Sequence, residues 1–331
     1  MLFAYKVGDR GLEEIPLVPG ADLPPETAWV DLFQPTFDED RTAERYLGAA
    51  LPSREETEEI EYSSRFYAED GGVFMTASLL TGVDMGQPAL APFTVVVTEN
   101  RIATIRYDDL RAVRQFVARA SKPGGQCFAT PAIFLGMIEA IVDRTADVLE
   151  RISQDVDRIN QDVFSRPGNR DLRRQNVQRG RRLETLISAI GVQGDLAAKA
   201  RESLSSLERL VQYAGLALPP AYGKKDHRAR LKLAGRDIRS LEDHVAFLSN
   251  KITFLLDATL GMISVEQNEV IRILTVAATV FFPPTLIGTV YGMNFDFMPE
   301  LDWAYGYPLA IGLMLASAVL PYLYFKRRGW L

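Results

Sequence analysis

Tyr291-Gly292-Met293-Asn294 is the stretch whose residue types point most directly to chemistry. Asn294 offers a side-chain carbonyl oxygen, Gly292 lets the backbone bend, and the main chain supplies further oxygens. In a symmetric oligomer one asparagine becomes a ring of oxygens around an axis. Such a ring suits a hard cation that keeps several of its waters, a description that fits Mg²⁺. Taken alone, the same four residues also read as a helix end with Asn in a left-handed cap.

Upstream residues extend the pattern. On a helix Ile271, Leu274, Ala278, Phe282, Thr285 and Thr289 share one face, apolar at one end and hydroxyl-bearing at the other. Pro283-Pro284 lies between, tolerated where neighbouring helices or cavity water satisfy the freed carbonyls. For any single threonine, hydrogen bonding back to its own helix is the plainer reading. The stripe as a whole carries the case. Downstream, Asp296, Glu300 and Asp302 would raise the local concentration of cations.

These residues need elements to hold them. Ile273 to Tyr291 is a run of 19 residues without a charge, and Pro308 to Phe325 is a run of 18. A helix crossing the hydrocarbon core needs about 20 such residues, so both runs qualify as membrane spans. The alternative is a pair of buried core helices. Between the runs lie three acidic residues and no Lys or Arg, whereas Lys326-Arg327-Arg328 follows the second. Basic flanks stay in the cytoplasm, so both termini are expected there and the acidic linker outside. Tyr291, Trp303, Tyr305, Tyr307, Tyr322, Tyr324 and Trp330 fall near the proposed interfaces.

The chain has 331 residues, 37 Lys plus Arg and 43 Asp plus Glu, for a net charge of −6. That balance argues against a nucleic-acid binder. Cys127 is the one cysteine, which excludes an intrachain disulfide and a Cys-rich metal site. His227 and His244 are 17 residues apart on one predicted helix and cannot share a site within a chain. The first thirty residues lack a basic stretch followed by an apolar run, so no signal peptide is expected. Neither a phosphate loop nor a Gly-x-Ser-x-Gly elbow occurs, which argues against an enzyme.

Residues 1–125 read as a cytoplasmic domain of mixed α and β structure. Strands are predicted over residues 2–7, 28–32, 65–67 and 73–80, with a hairpin over 93–107 turning at Glu99-Asn100. Helices are predicted from Asp38, from Ser53 with Glu56 completing a capping box, and over 109–120. Residues 121–125 read as a linker. Residues 126–225 form a helical hairpin, entered with Thr130 as N-cap and Pro131 at the first helical position. Its turn falls at Arg166-Pro167-Gly168-Asn169, and its second helix ends at Leu218-Pro219-Pro220. Arg170, Arg173, Arg174, Arg179, Arg181 and Arg182 make part of that helix basic, which is read as a solvated face, with an anionic partner as the alternative.

From 226 to 291 one stalk helix runs into the first span, which covers about 271–291; it would be on the order of 100 Å long. Leu231, Ala234, Ile238, Leu241, Val245, Leu248, Ile252, Leu255, Thr259 and Met262 step by three and four in an unbroken heptad seam. An intrachain bundle helix would show the same seam. Self-association is favoured because two membrane helices alone enclose no conduit. Residues 292–307 then form the external loop, 308–325 the second span, and 326–331 a basic cytoplasmic tail.

The segment Tyr291-Gly292-Met293-Asn294-Phe295-Asp296-Phe297-Met298-Pro299-Glu300-Leu301-Asp302-Trp303, then Tyr305-Gly306-Tyr307-Pro308, resembles the signature loop of the CorA magnesium transporters. The run from Pro321 to Leu331 resembles the tail of enterobacterial-type members, and the likeness extends through Glu266-Gln267-Asn268. The resemblance implies an α+β cytoplasmic domain, long helices and two C-terminal transmembrane helices, assembled as a funnel-shaped homopentameric channel in the bacterial inner membrane. Gly292, Met293 and Asn294 would bind hydrated Mg²⁺ at the outer mouth. Ile271 and Leu274 would form the gate, with Ala278, Phe282, Thr285 and Thr289 lining the pore and the second span facing lipid. Intracellular Mg²⁺ would regulate the channel at acidic sites between cytoplasmic domains, for which Asp237 and Asp243 are the stalk candidates. Co²⁺ and Ni²⁺ are further expected cargo. A zinc transporter of the ZntB type competes with this reading, though zinc favours Cys and His ligands and the pore stripe and loop contain neither. A pore-less membrane-anchored sensor is the third reading.

Overall fold

Short apolar strands bounded by turn residues dominate the first hundred residues, and they assemble into one sheet. The structure is a computed structural model describing residues 1–8, 11–18, 21–59, 61–122, 129–165, 172–294, 299 and 303–330, with backbone alone for Tyr62 and 172–181. The strands are β1 (Leu2–Gly8), β2 (Gly11–Ile15), β3 (Thr27–Phe33), β4 (Phe66–Glu69), β5 (Gly72–Thr81), β6 (Ala89–Val97) and β7 (Ile102–Arg106). Their order is β2-β1-β3-β7-β6-β5-β4. The β3–β7 pair is parallel and the other pairs are antiparallel. The predicted hairpin is the β6–β7 pair, closed by the Thr98 amide donating to the Arg101 carbonyl at 2.9 Å. Strand β2 was not expected: Gly11, Glu13 and Glu14 have weak strand preference, and pairing with β1 makes the strand.

The helices are α1 (Phe37–Leu47), α2 (Arg54–Glu58), α3 (Tyr62–Arg65), α4 (Arg111–Ala120), α5 (Thr130–Phe164), α6 (Leu172–Ala217), α7 (Lys225–Tyr291) and α8 (Gly306–Arg327). The capping box at Ser53 is present, the Glu56 amide donating to Ser53 Oγ and the Ser53 amide to Glu56 Oε2. Helix α5 starts one residue earlier than expected. Ala129 is its N-cap, and Thr130 instead donates its hydroxyl to the Asn100 carbonyl at 3.1 Å. That bond ties the helix start to the β6–β7 turn, a tertiary partner that local preference cannot reveal. Residues 123–125 of the linker predicted over 121–125, and the turn at 166–169, lie outside the described residues.

The chain divides into two compact units, residues 1–168 with 185–255 and residues 169–184 with 256–331; α6 and α7 run through both. In the first unit both sheet faces are covered, so β7 is buried along its whole length. One face packs Val30, Leu32, Phe74, Val96 and Ile105 against Tyr46 and Leu47 of α1. On the other, Trp29 stacks on Tyr5 at 4.6 Å and meets Phe116 of α4 edge-on at 5.7 Å. Gly136 lets α5 close on Phe116: a Cβ there would fall 2.6 Å from its ring. Buried Asp31 and Arg106 pair at 2.8 Å, and Asp31 also accepts from Thr104 at 2.7 Å. Beyond β4, the free edge of β5 is closed by α6, whose Ser206 and Ser203 hydroxyl oxygens accept from the Ser78 and Leu80 amides.

Helix α6 lies antiparallel to α7 in this unit: Gly194 faces Ile252, Val211 faces Gly235, and Gly215 faces Leu231. Helix α5 is tied to α7 by Glu139–Arg230 and Asp157–Lys251. Every residue of the heptad seam is buried or half-buried within the single chain. The expectation that this seam mediates self-association is therefore corrected. In residues 226–255 the seam is consumed by the chain's own three-helix packing, because a heptad pattern specifies a helical neighbour and not whose it is.

Candidate ion pathway

The second unit contains the two long apolar runs, and their surroundings exclude the buried-core alternative. Only 6% of the most apolar window of each of α7 and α8 is buried. Tyr307, Leu309, Ile311, Leu313, Leu315, Leu320 and Leu323 are all exposed on α8. Its covered face is Gly306, Ala310, Met314, Ser317, Ala318, Pro321 and Phe325. Met314 meets α7 at Gly288, where a Cβ would lie 3.3 Å from its methyl carbon.

That packing divides the circumference of α7. Val276, Val280, Pro283, Pro284 and Ile287 are buried or half-buried. Ile271, Leu274, Ala278, Phe282, Thr285 and Thr289 are all exposed, Ile271 at 60%, Leu274 at 64% and Phe282 at 68%. At 100° per residue the exposed six fall within about 80° of arc, centred about 180° from the covered set. The six stripe residues are thus all uncovered in the single chain, as are Ile273, Thr275, Ala277, Phe281, Leu286 and Val290.

The threonines of this span bond back to their own helix. Thr285 Oγ1 donates to the Phe281 carbonyl and Thr289 Oγ1 to the Thr285 carbonyl, both at 2.8 Å. The plainer reading of each threonine therefore holds, yet it leaves the oxygen lone pairs available as acceptors. The helix continues through Pro283 and Pro284, which cannot donate to the Thr279 and Val280 carbonyls. It ends where the Gly292 amide reaches Gly288 and Thr289, at 3.0 and 3.2 Å, and the Met293 amide reaches Val290 at 3.3 Å. Gly292, Met293 and Asn294 are exposed at the end of the stripe. Asn294 does not adopt positive φ, so the left-handed cap is not its role.

The remaining predicted residues are not gathered here. Asp296, Glu300 and Asp302 lie outside the described residues. Arg170 does too, as do the side chains of Arg173, Arg174, Arg179 and Arg181. Asp237 and Asp243 are exposed on α7 within the first unit. Next to Asp243, Glu242 has its carboxyl pushed up, first by burial and then by Glu208. Among the described residues no three His, Cys, Asp or Glu side chains form a metal-holding group.

Two features at the stripe's apolar end escaped the sequence reading. A groove of about 520 Å³ is lined by Leu183, Glu184, Ile263, Glu266, Gln267, Val270 and Ile271. Arg272 adjoins the stripe with its Nε buried and without a hydrogen-bond partner. Its position as the last charge before the uncharged run was the available signal.

The sequence profile of the CorA-like Mg2+ transporter protein family matches residues 25–327. The chain belongs to this family. The magnesium transport protein CorA of Mannheimia succiniciproducens is 33% identical over 305 residues, 92% of each chain. That of Yersinia pestis is 32% identical over 332 residues, spanning 100% of both chains. The complete structure of the CorA magnesium transporter from Methanocaldococcus jannaschii superposes with a TM-score of 0.75 at 16% identity, covering 100% of this chain and 99% of that one. The CorA fold is thus shared from end to end: an α+β domain, long helices and two apolar C-terminal helices.

Proposed function

We propose that this chain transports Mg²⁺ passively across the bacterial inner membrane, through the central pore of a homopentamer gated by intracellular Mg²⁺. The observation that carries the proposal is the uncovered stripe of α7, opposite α8 and ending at Gly292-Met293-Asn294. Membership in a family of magnesium transporters supports the cargo. In the pentamer five stripes face one axis and five α8 helices face lipid. Both termini lie in the cytoplasm, and Asp296, Glu300 and Asp302 draw cations to the outer mouth.

Hydrated Mg²⁺ meets a ring of Asn294 oxygens together with the Gly292 and Met293 main chain. Its waters donate to those oxygens and then to Thr289 and Thr285, so the ion keeps most of its shell. Ala278 and Phe282 continue the wall, and Ile271 and Leu274 close it as an apolar constriction. Asp237 and Asp243 are the stalk half of the regulatory Mg²⁺ site. Co²⁺ and Ni²⁺, with similar hydrates, are secondary cargo. Transport runs down the electrochemical gradient, each positive charge drawing about 2.3 kcal/mol from 100 mV.

The test is cation flux into proteoliposomes. Asn294→Ala is expected to abolish Mg²⁺ uptake while the protein assembles normally. Undiminished uptake in that variant refutes the pore-mouth role, and zinc flux without magnesium flux in the unaltered protein overturns the cargo.

A further inference from the structure

We infer that the basic end of the α7–α8 pair is a binding site for the headgroup of an anionic phospholipid. The inference rests on the membrane placement proposed above. Helix α8 closes with a built cap: Gly329 adopts φ +72, its amide donates to the Lys326 carbonyl at 3.2 Å, and the Trp330 amide donates to the Phe325 carbonyl at 3.0 Å. Trp330 stacks back on Phe325, with ring centres 5.3 Å apart. The cap leaves Lys326, Arg327 and Arg328 exposed around the last turn, and the Arg328 guanidinium lies 5.5 Å over the Tyr324 ring.

Arg272 supplies the α7 side. Taking Gly288 and Met314 as the crossing level, Arg272 is 16 residues before the one and Arg327, the last residue of α8, is 13 after the other. In an antiparallel pair they lie about 24 and 20 Å from that level. Arg272 has one long ionic contact, 3.9 Å to Glu269, and its Nε has no partner. Four cations and, among the described residues, the Glu269 carboxylate lie at the level where a bilayer places its headgroups. Arginine forks match phosphate oxygens, and Trp330 is suited to the interface. A phosphate there would satisfy Arg272 and clamp the stalk end of the span to the end of α8, one residue from Ile271.

The full-length protein is extracted in neutral detergent and titrated with phosphatidylglycerol or phosphatidylcholine, bound lipid being counted by native mass spectrometry. Phosphatidylglycerol is expected to be preferred, with about fivefold lost per cation removed. Arg272→Gln with Lys326→Gln, Arg327→Gln and Arg328→Gln should erase the preference without changing the oligomer's mass; Arg272→Lys with Arg327→Lys and Arg328→Lys, which keeps the charge, should retain most of it. Equal retention of the two lipids by the unaltered protein overturns the inference, as does an undiminished preference in the glutamine variant. If millimolar inorganic phosphate protects against heat as well as phosphatidylglycerol does, the ligand is a free anion and the lipid assignment falls. Should the glutamine variant fail to accumulate, the unaltered protein decides: its preference must weaken as salt is raised, and a salt-independent preference overturns the site. Failure of the membrane placement would look different, as release of the protein from membranes without detergent.

Discussion

Leu274 illustrates how one side chain takes its meaning from where it is left bare. It is a large apolar residue at 64% exposure, on the helix face that α8 does not cover. In the proposed pore five copies exclude water from the axis, an effect that requires apolar surface. Leu274→Asn should leave the pore leaky at high intracellular Mg²⁺, read as Mg²⁺ efflux from loaded proteoliposomes; unchanged closure would move the gate elsewhere. Asp84 shows the opposite economy, a single carboxylate shared by Arg111, Arg144 and Arg151 at 2.8 to 2.9 Å. The hydrogen bond from Arg111, then those from its partners, holds its carboxyl well below the usual range despite partial burial. A depressed carboxylate stabilises the fold above its unfolded pKa of about 3.9, and that contribution is lost as pH falls through the lower folded value. Asp84→Asn should therefore cost about 1–2 kcal/mol near neutrality, given that Arg111 and Arg151 are half-exposed while Arg144 is largely buried. The melting-temperature gap between variant and parent should narrow as pH drops below about 4. A gap that widens instead would contradict the linkage.

At the scale of elements, α7 serves two partners along its length. In the first unit its heptad seam is buried against α6; in the second one face meets α8 and the opposite one is bare. Ile238 is fully buried in the seam. Ile238→Ala should destabilise the protein by about 2–4 kcal/mol. It should leave the oligomeric mass unchanged, because the seam is internal. Dissociation at undiminished subunit stability would restore the seam as an intersubunit surface. The strands and helices themselves were largely readable in advance. The β6–β7 hairpin, the capping box at Ser53 and the length of α7 follow from alternation, local caps and the absence of breakers. Strand β2 was not readable because Gly11, Glu13 and Glu14 become a strand only by pairing with β1, and the true start of α5 was not because it depends on Asn100, distant in sequence from Thr130.

For the whole molecule, a stripe of bare apolar and hydroxyl groups on a membrane helix encloses nothing in one chain. A pore needs copies around an axis, and cyclic symmetry is the economical way to repeat one surface. The expected mass in detergent is five times 36.9 kDa, about 185 kDa before bound detergent. A monomer by light scattering, together with no flux, would instead favour a membrane-anchored sensor. Sequence alone determined the two apolar runs and the helical face shared by Ile271 to Thr289 ahead of Gly292-Met293-Asn294, because hydropathy length and helical period are properties of one segment and need no partner. The tertiary structure decided which faces were used: α6 on the seam, α8 opposite the stripe, and Arg272 left with an unpaired nitrogen at the basic end. Periodicity names the faces of a helix, whereas burial belongs to two surfaces at once, and the second surface is known only when the chain has folded.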